Sequence, residues 1–395
     1  MRIATVVQGR FHAFDLVREF TKRGNSVELF TNYPEWAVNK YGAGASMVRS
    51  YWQHGVARRI AGRLGFRAEA AWDRQFGIWA AKQIGRGQWD VLHTWSGVSL
   101  ELLREHGNRR GATLLLRGSA HIRTQAQILR EEQERTGVRV EQPSSWIMER
   151  EEEEYQLTDR ILVLSNFARR SFVERGISPE KLCLLPLGAN STVFRPQPET
   201  IEERLSRILS GAPLRVLYVG NLSLQKGMHD AVNVVRALDP RRFEFRFVGS
   251  VSKDAGDEVR MLRRLAQVIP KQPQSQLREQ YSWADVFVFP TIQDGFAAVL
   301  SQAQASALPI LCTTNCGGPD IVREGETGWV LPIRSPEAFT DRLTWCDEHR
   351  DELAAMVEGV YRRQGVREWK DVARDFEDIC RAGLLRAMAR SGEAR

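Results

Sequence analysis

The chain has 395 residues, 43% hydrophobic and 27% charged, with a net charge of +7. That length exceeds one ordinary core, so two domains of similar size are expected in a globular, water-compatible chain. No apolar run is long enough to span a bilayer, and no Lys/Arg run interleaved with aromatics argues for nucleic acid.

The basic balance suits anionic lipid or a phosphorylated small molecule. Ile3 to Val7 is too short for the apolar region of a signal peptide, so a cytoplasmic chain is expected. The five cysteines are odd in number and scattered, which fits a reducing compartment. Cys312 and Cys316 have no second cysteine pair or histidine nearby, so buried thiols are expected there rather than zinc.

In chain order, Ile3 to Val7 reads as a strand buried on both faces. Gln8-Gly9-Arg10 turns the chain, and Phe14, Leu16, Val17 and Phe20 give a helical stripe before a strand at Val27 to Thr31. Strand, loop, helix, strand is the unit of a parallel sheet. Further strands are expected at Val91 to Thr94, Thr113 to Leu116, Ile161 to Ser165 and Leu182 to Leu187. The run from Glu149 to Glu154 (EREEEE) reads as a solvated helix face. Residues 188–213 hold three prolines and a short charged helix, as an interdomain connection would. The pattern then restarts: a strand at Leu214 to Gly220, a helix at Met228 to Leu238, the strand FEFRFVG, a charged helix through Leu265, and strands at Val286 to Pro290 and Pro309 to Cys312. Both halves are doubly wound α/β patterns. Ligands sit at the carboxyl ends of strands in such sheets, so two facing domains would form a cleft.

Two loops of the second half carry chemistry. In Gly220 to Gly227 (GNLSLQKG), Lys226 stands beside a helix start, where an ammonium and free N–H groups can share one anion. In Asp294-Gly295-Phe296, Gly295 admits close backbone approach, while the small Ala297 and Ala298 leave the next helix start open. Asp294 can accept two hydroxyl hydrogen bonds, and Gln302, two helical turns on, offers an amide oxygen on a similar face.

These residues resemble the family 4 retaining glycosyltransferases (glycosyl transferases group 1) of GT-B fold. That pattern has Gly-Arg, four residues, Lys-Gly, and later Glu-Gly-Phe with a second glutamate eight positions after the first. Here the first motif has Asn221 for arginine, and the second has Asp294 and Gln302 for the two glutamates. TDRILVLSNFARRSFVERGI, KLCLLPLGANSTVFRP, WADVFVFPT and GGPDIVREGETGWVLP extend the resemblance over about Thr113 to Pro332. It implies an α/β fold of two doubly wound Rossmann-like domains facing a cleft. An acceptor-side domain would cover residues 1–190 and a nucleotide-sugar domain 191–368, with residues 369–395 a helix crossing back to the first.

The resemblance also implies roles. Lys226 and position 221 would meet the diphosphate, Asp294 the donor sugar, and Gln302 the ribose. The N–H groups after Phe296, at Ala297 and Ala298, would meet the diphosphate or sugar. In the first half, Gly9 and Arg10 would approach the donor phosphate, Arg10 or another basic residue replacing the missing arginine. His121, in the loop after LLLR, would contact the donor sugar.

The implied activity is transfer of a sugar from a UDP- or GDP-linked donor to a glycan, lipid-linked or small-molecule acceptor, with retention and no cofactor. No Asp-x-Asp occurs in the chain, so no metal-bridged diphosphate is indicated. Lipid-linked acceptors leave room for peripheral contact at the inner membrane face. The rivals are a catalytically inert sugar-nucleotide-binding protein, favoured by Asn221 and Gln302, and a sugar-nucleotide epimerase of the same fold.

Overall fold

A computed structural model describes residues 1–65, 68–106, 111–363 and 366–393, with side chains through residue 386. Two all-parallel sheets account for the strands. The first contains β1 (Arg2–Val7), β2 (Ser26–Thr31), β3 (Met47–Ser50), β4 (Val91–Trp95), β5 (Ala112–Arg117), β6 (Arg160–Val163) and β7 (Leu182–Leu184), ordered β3-β2-β1-β4-β5-β6-β7. The second contains β8 (Leu214–Val219), β9 (Phe243–Gly249), β10 (Gln267–Pro270), β11 (Val286–Phe289), β12 (Ile310–Thr313) and β13 (Gly328–Leu331), ordered β10-β9-β8-β11-β12-β13.

The inner strands are continuous apolar runs because helices cover both faces of each sheet. Val91–Trp95 and Val286–Phe289 are buried at every position. Three strands outside the sequence reading, β3, β10 and β13, are all at sheet edges. β3 and β10 are half exposed, so the apolar signal that marks an inner strand is absent. The connection 188–213 contains the helix Pro198–Leu209, which carries the fully buried Arg204; its guanidinium donates to the carbonyls of Ser306, Ala307 and Tyr281.

A large apolar core lies in each half, and the first half has a second, smaller one around Leu115, Tyr155 and Phe172. The first-half core also takes in Trp369, Val372, Ala373, Phe376 and Cys380 of the last helix, Trp369–Glu393. Phe376 stacks on Phe20 with ring centroids 4.4 Å apart, and Glu377 accepts from Arg23 and Asn25 at 2.9 and 2.6 Å. Cys312 and Cys316 are buried free thiols, as expected.

The strand order reverses between β1 and β4 in the first sheet and between β8 and β11 in the second. Loops leaving adjacent strands there run to opposite sides and open a crevice. The motif loops Gly220 to Gly227 and Pro290 to Ala297 follow β8 and β11; the loop Gln8 to His12 follows β1.

Candidate active site

Two hollows occupy the space between the domains. The inner one, about 520 Å³, is lined on one side by Gln8, His12, Trp95, Arg117 and Ser119, and on the other by Lys226, Asp294, Phe296 and Ala297 among others. The outer one, about 1460 Å³, runs past Arg58, Trp72 and Arg139 to Ser223, Val251 and Asp254. Asn221 lines both.

The second-domain wall is built by two loops tied together. Ile292 N–H and the Thr291 hydroxyl donate to the Gln225 carbonyl at 3.0 and 3.1 Å. Gly227 takes φ +77°, and a Cβ there would overlap the Pro290 carbonyl, so only glycine lets the lysine loop lie against the Asp294 loop. The result brings two sequence-predicted residues together: Lys226 Nζ lies 2.6 Å from Asp294 Oδ2 and 3.1 Å from the Gln293 carbonyl. An ammonium has three donors, so one remains for a ligand in the hollow. Asp294 Oδ1 accepts from Phe296 N–H at 3.1 Å, which fixes the turn.

Gly295 approaches the other domain. A Cβ on it would overlap the Gly118 carbonyl, so the glycine expected to admit a ligand admits the loop after β5. Phe296 is fully buried and joins the first-domain core. Ala297 and Ala298 line the inner hollow where the helix Ala298–Ala305 begins. The first N–H groups of a helix have no acceptor within it, so they are open to an anion there.

Asn221 is exposed, its amide donating to Ser252 Oγ at 2.7 Å. Gln302 lines neither hollow. Its amide oxygen accepts from the Tyr281 hydroxyl at 3.0 Å, which leaves its amide nitrogen uncommitted.

On the first-domain wall, Gly9 takes φ +105° and donates its N–H to Asn32 Oδ1 at 2.9 Å. Arg10 lies 4.1 Å over the Tyr41 ring and lines neither hollow. The basic groups that do line the inner hollow from this side are Arg58 and Arg117. His121 is buried behind the wall. It caps the helix Ile122–Thr136, its Nδ1 accepting from Arg123 N–H at 3.3 Å, and its ring packs against Tyr155 and Phe172. Burial pushes its pKa down to about 4. From that loop, Gly118 and Ser119 reach the hollow instead.

Several lining residues carried no sequence signal of their own. His12 closes the first loop between Trp95 and Trp369; burial lowers its pKa to about 4, and its Nε2 has no hydrogen-bond partner. Arg117 Nε forms an ion pair with Glu151 at 3.0 Å, and the Tyr155 hydroxyl donates to the same carboxylate at 2.5 Å.

Glu151 belongs to the run expected to be a solvated face, and that expectation fails. Arg150, Glu151 and Glu154 are buried. Glu154 accepts from Gly97 and Ser99 N–H at 2.6 and 2.8 Å, and Arg150 pairs with Glu101 at 2.5 Å. Burial, with the Glu151 charge beside it, pushes the Glu154 pKa up to about 8 against the pull of Arg150. Arg150 and Glu154, one helical turn apart, turn inward to hold Gly97 and Ser99 of the loop after β4, while Glu151 pairs with Arg117.

Polar bridges cross the cleft. Ser119 Oγ and the Gln293 side chain lie 2.8 Å apart, Asn166 donates twice to Asp320 at 2.8 Å, and Arg135 pairs with Asp230 at 2.8 Å. Arg334 reaches Glu131 and Glu132 at 2.9 and 3.0 Å. They hold the walls close enough for one small ligand to touch both.

Residues 10–192 match the family Glycosyltransferase Family 4, and residues 213–348 match Glycosyl transferases group 1. Both halves of the chain thus match glycosyltransferase family models. Among curated relatives, the D-inositol 3-phosphate glycosyltransferase of Corynebacterium urealyticum is 26% identical over 261 residues, 61% of each chain. The amylovoran biosynthesis glycosyltransferase AmsK of Erwinia amylovora is 23% identical over 209 residues, 50% of this chain and 49% of that one. The chain thus spans about half to three-fifths of the length of such relatives. Anabaena HepE, solved in complex with UDP and glucose, superposes with a TM-score of 0.69 at 12% identity, covering 97% of this chain and 100% of that one. Sucrose-phosphate synthase from Thermosynechococcus elongatus gives 0.72 at 17%, covering 97% and 98%. These likenesses give the chain its fold, GT-B.

Proposed function

We propose that the chain transfers a sugar from a nucleotide diphosphate donor to an acceptor hydroxyl, with retention at the anomeric carbon and without a metal. The observation that carries this reading is the Lys226–Asp294 pair, set beside the open helix start at Ala297 and Ala298 and facing Ser119 across the inner hollow. A diphosphate needs a cation and backbone N–H groups, and a sugar needs a carboxylate that accepts from hydroxyls. The UDP and glucose bound by HepE, a protein of the same fold, support a UDP-linked donor.

In the reaction, the bond from the anomeric carbon to the diphosphate oxygen breaks and a bond to the acceptor oxygen forms on the same face. The acceptor proton passes to the departing phosphate. The chain's part is to position both substrates and to stabilise leaving-group charge through Lys226 and the helix N–H groups. Gln302 serves the ribose through its free amide nitrogen in this reading. Gly9 borders the phosphate, and Arg58 or Arg117 takes the place given to Arg10.

Thermal-shift screening against UDP-, GDP- and ADP-sugars tests the binding half: donors of one base should raise the melting temperature. A transfer assay with anomeric analysis by NMR tests the rest, and turnover should survive EDTA. Loss of turnover in EDTA, restored by magnesium or manganese, would sink metal independence. Asn221 in the family's arginine position favours the second reading, an inert binder. A nucleotide-sugar shift with no transfer to a broad acceptor set would select it.

A further inference from the structure

Of the chain's eleven tryptophans, Trp36 and Trp52 stand apart. The rest pack on another aromatic ring or under a guanidinium, as Trp89 does on Phe30 and Trp283 under Arg246. Trp36 and Trp52 have neither kind of partner among the described residues, and they are 70% and 48% exposed. Both line one hollow of about 570 Å³, a size within the ~300–1,000 Å³ span of small-molecule sites. Two indoles left open in one concavity are a surface kept for a ligand, because each forgoes the burial that a large ring otherwise gains.

The hollow opens at the carboxyl ends of β2 and β3, the rim where open α/β sheets bind ligands. Asn32 and Glu35 come from the chain after β2, Trp52 and Arg59 from the helix Trp52–Arg63 after β3. A Cβ on Gly55 would overlap the Asn32 carbonyl, so glycine lets that helix lie down on the β2 loop. The polar groups in the hollow have capacity to spare. Asn32 Oδ1 accepts from Gly9 N–H at 2.9 Å, which leaves its amide nitrogen open. Glu35 has no hydrogen bond or ion pair among the described residues, and Arg59 has only the Tyr33 ring, 5.3 Å away. These two charges line the same hollow without pairing with each other. A carboxylate accepts and a guanidinium donates, so a neutral ligand rich in hydroxyls satisfies both, whereas an anion would meet Glu35 and a cation Arg59.

We propose that this hollow is a carbohydrate subsite that holds a neutral pyranose unit of a glycan. One face of a pyranose is a patch of C–H groups, faintly positive, and it fits the negative face of an indole. The hydroxyls around the ring meet Glu35, Arg59 and the Asn32 amide. Asn32 also anchors Gly9, in the loop that carries Gln8 and His12 into the inner hollow, so the subsite and the cleft share one rim. A glycan held here by one unit can extend toward the inner hollow by another. That extension rests on the transferase reading; the binding itself does not.

The test is binding of the full chain to an array of neutral and uronic-acid oligosaccharides, followed by calorimetry on the neutral one that binds best. Trp36→Ala and Trp52→Ala should each weaken its binding about tenfold, and Trp36→Phe should recover most of that loss. Glu35→Gln should weaken it about fivefold. Melting temperature and nucleotide-sugar shift should stay unchanged, because none of these residues lines the inner or the outer hollow. No binding to any neutral oligosaccharide of the array overturns the proposal, as does binding that both tryptophan changes leave intact, which places the glycan elsewhere. A dimer in solution that Trp36→Ala dissolves, with no glycan bound, assigns the hollow to a second copy and overturns it too. Glycan binding that is lost with the tryptophans, in a chain that transfers no sugar, upholds the subsite and counts against the transferase reading alone.

Discussion

Lys226 and Asp294 form an ion pair on the second-domain wall of the inner hollow, so a change at one is felt by the other. Lys226→Ala removes a donor to the diphosphate and leaves the carboxylate facing the incoming phosphate. Nucleoside diphosphate binding should weaken by about 1.5–3 kcal/mol, the scale of a charge-assisted bond. Calorimetric titration reads it, and unchanged affinity in a folded variant would take Lys226 out of the site. Gln302 gives a sharper choice, because its amide oxygen already serves the buried Tyr281 hydroxyl. Gln302→Ala should cost about 1 kcal/mol of stability and raise the apparent donor constant by a similar amount, while Gln302→Glu keeps the acceptor for Tyr281 and replaces the amide donor by a carboxylate oxygen that accepts from a ribose hydroxyl, sparing both. Urea unfolding and steady-state kinetics separate the effects. A stability loss with an unmoved donor constant would make Gln302 a structural residue. At this scale, local spacing had told much about the second domain, where lysine, acid and glycines lie in two short loops. It told little about the first. His12, Trp95, Arg117 and Glu151 come from four separate elements, and the buried acids are compensated by backbone N–H groups and arginines far away in sequence.

Between elements, the tightest fit is the passage of the Asp294 turn over the loop after β5. Gly295→Ala would set a methyl against the Gly118 carbonyl, and one loop would have to retreat. The Ser119 to Gln293 bond spans the same gap. A displacement of that order in a catalytic wall costs about a hundredfold in kcat/KM. Kinetics on the variant, with circular dichroism to confirm folding, check it; near-normal kinetics would show that the two loops need not touch. The inner strands were readable because burial on both faces leaves an uninterrupted apolar run. The edge strands were not, since pairing on one side only lets polar residues in, as in Met47–Ser50. The acidic run misled for a related reason: a charge run is usually solvated, and only the packed structure shows Gly97 and Ser99 offering N–H groups to Glu154.

Across the whole molecule, the last helix is pinned where an unusual histidine lies. His93 is fully buried, its ring 4.7 Å from Phe376 and neither nitrogen hydrogen-bonded. Burial lowers its pKa from 6.5 to about 3. Folding therefore favours the neutral ring. This contribution is complete above pH 6.5 and is lost as pH falls toward the folded value. Between pH 6.5 and 5 the loss should be about 2 kcal/mol. Urea unfolding of the parent and of His93→Phe across that range isolates it: the phenylalanine variant should show a shallower decline, and parallel curves would refute the assignment.

The seat of that helix also bears on how the chain is made. The first-half core is closed by Trp369, Val372, Ala373, Phe376 and Cys380, residues that leave the ribosome only after the whole second domain has emerged. The nascent first domain must wait with an apolar flank of its sheet uncovered, the condition in which chaperones engage a growing chain. The second domain, whose core draws on residues 189–357, can condense in the meantime. So the half that is synthesised first is the half that is finished last.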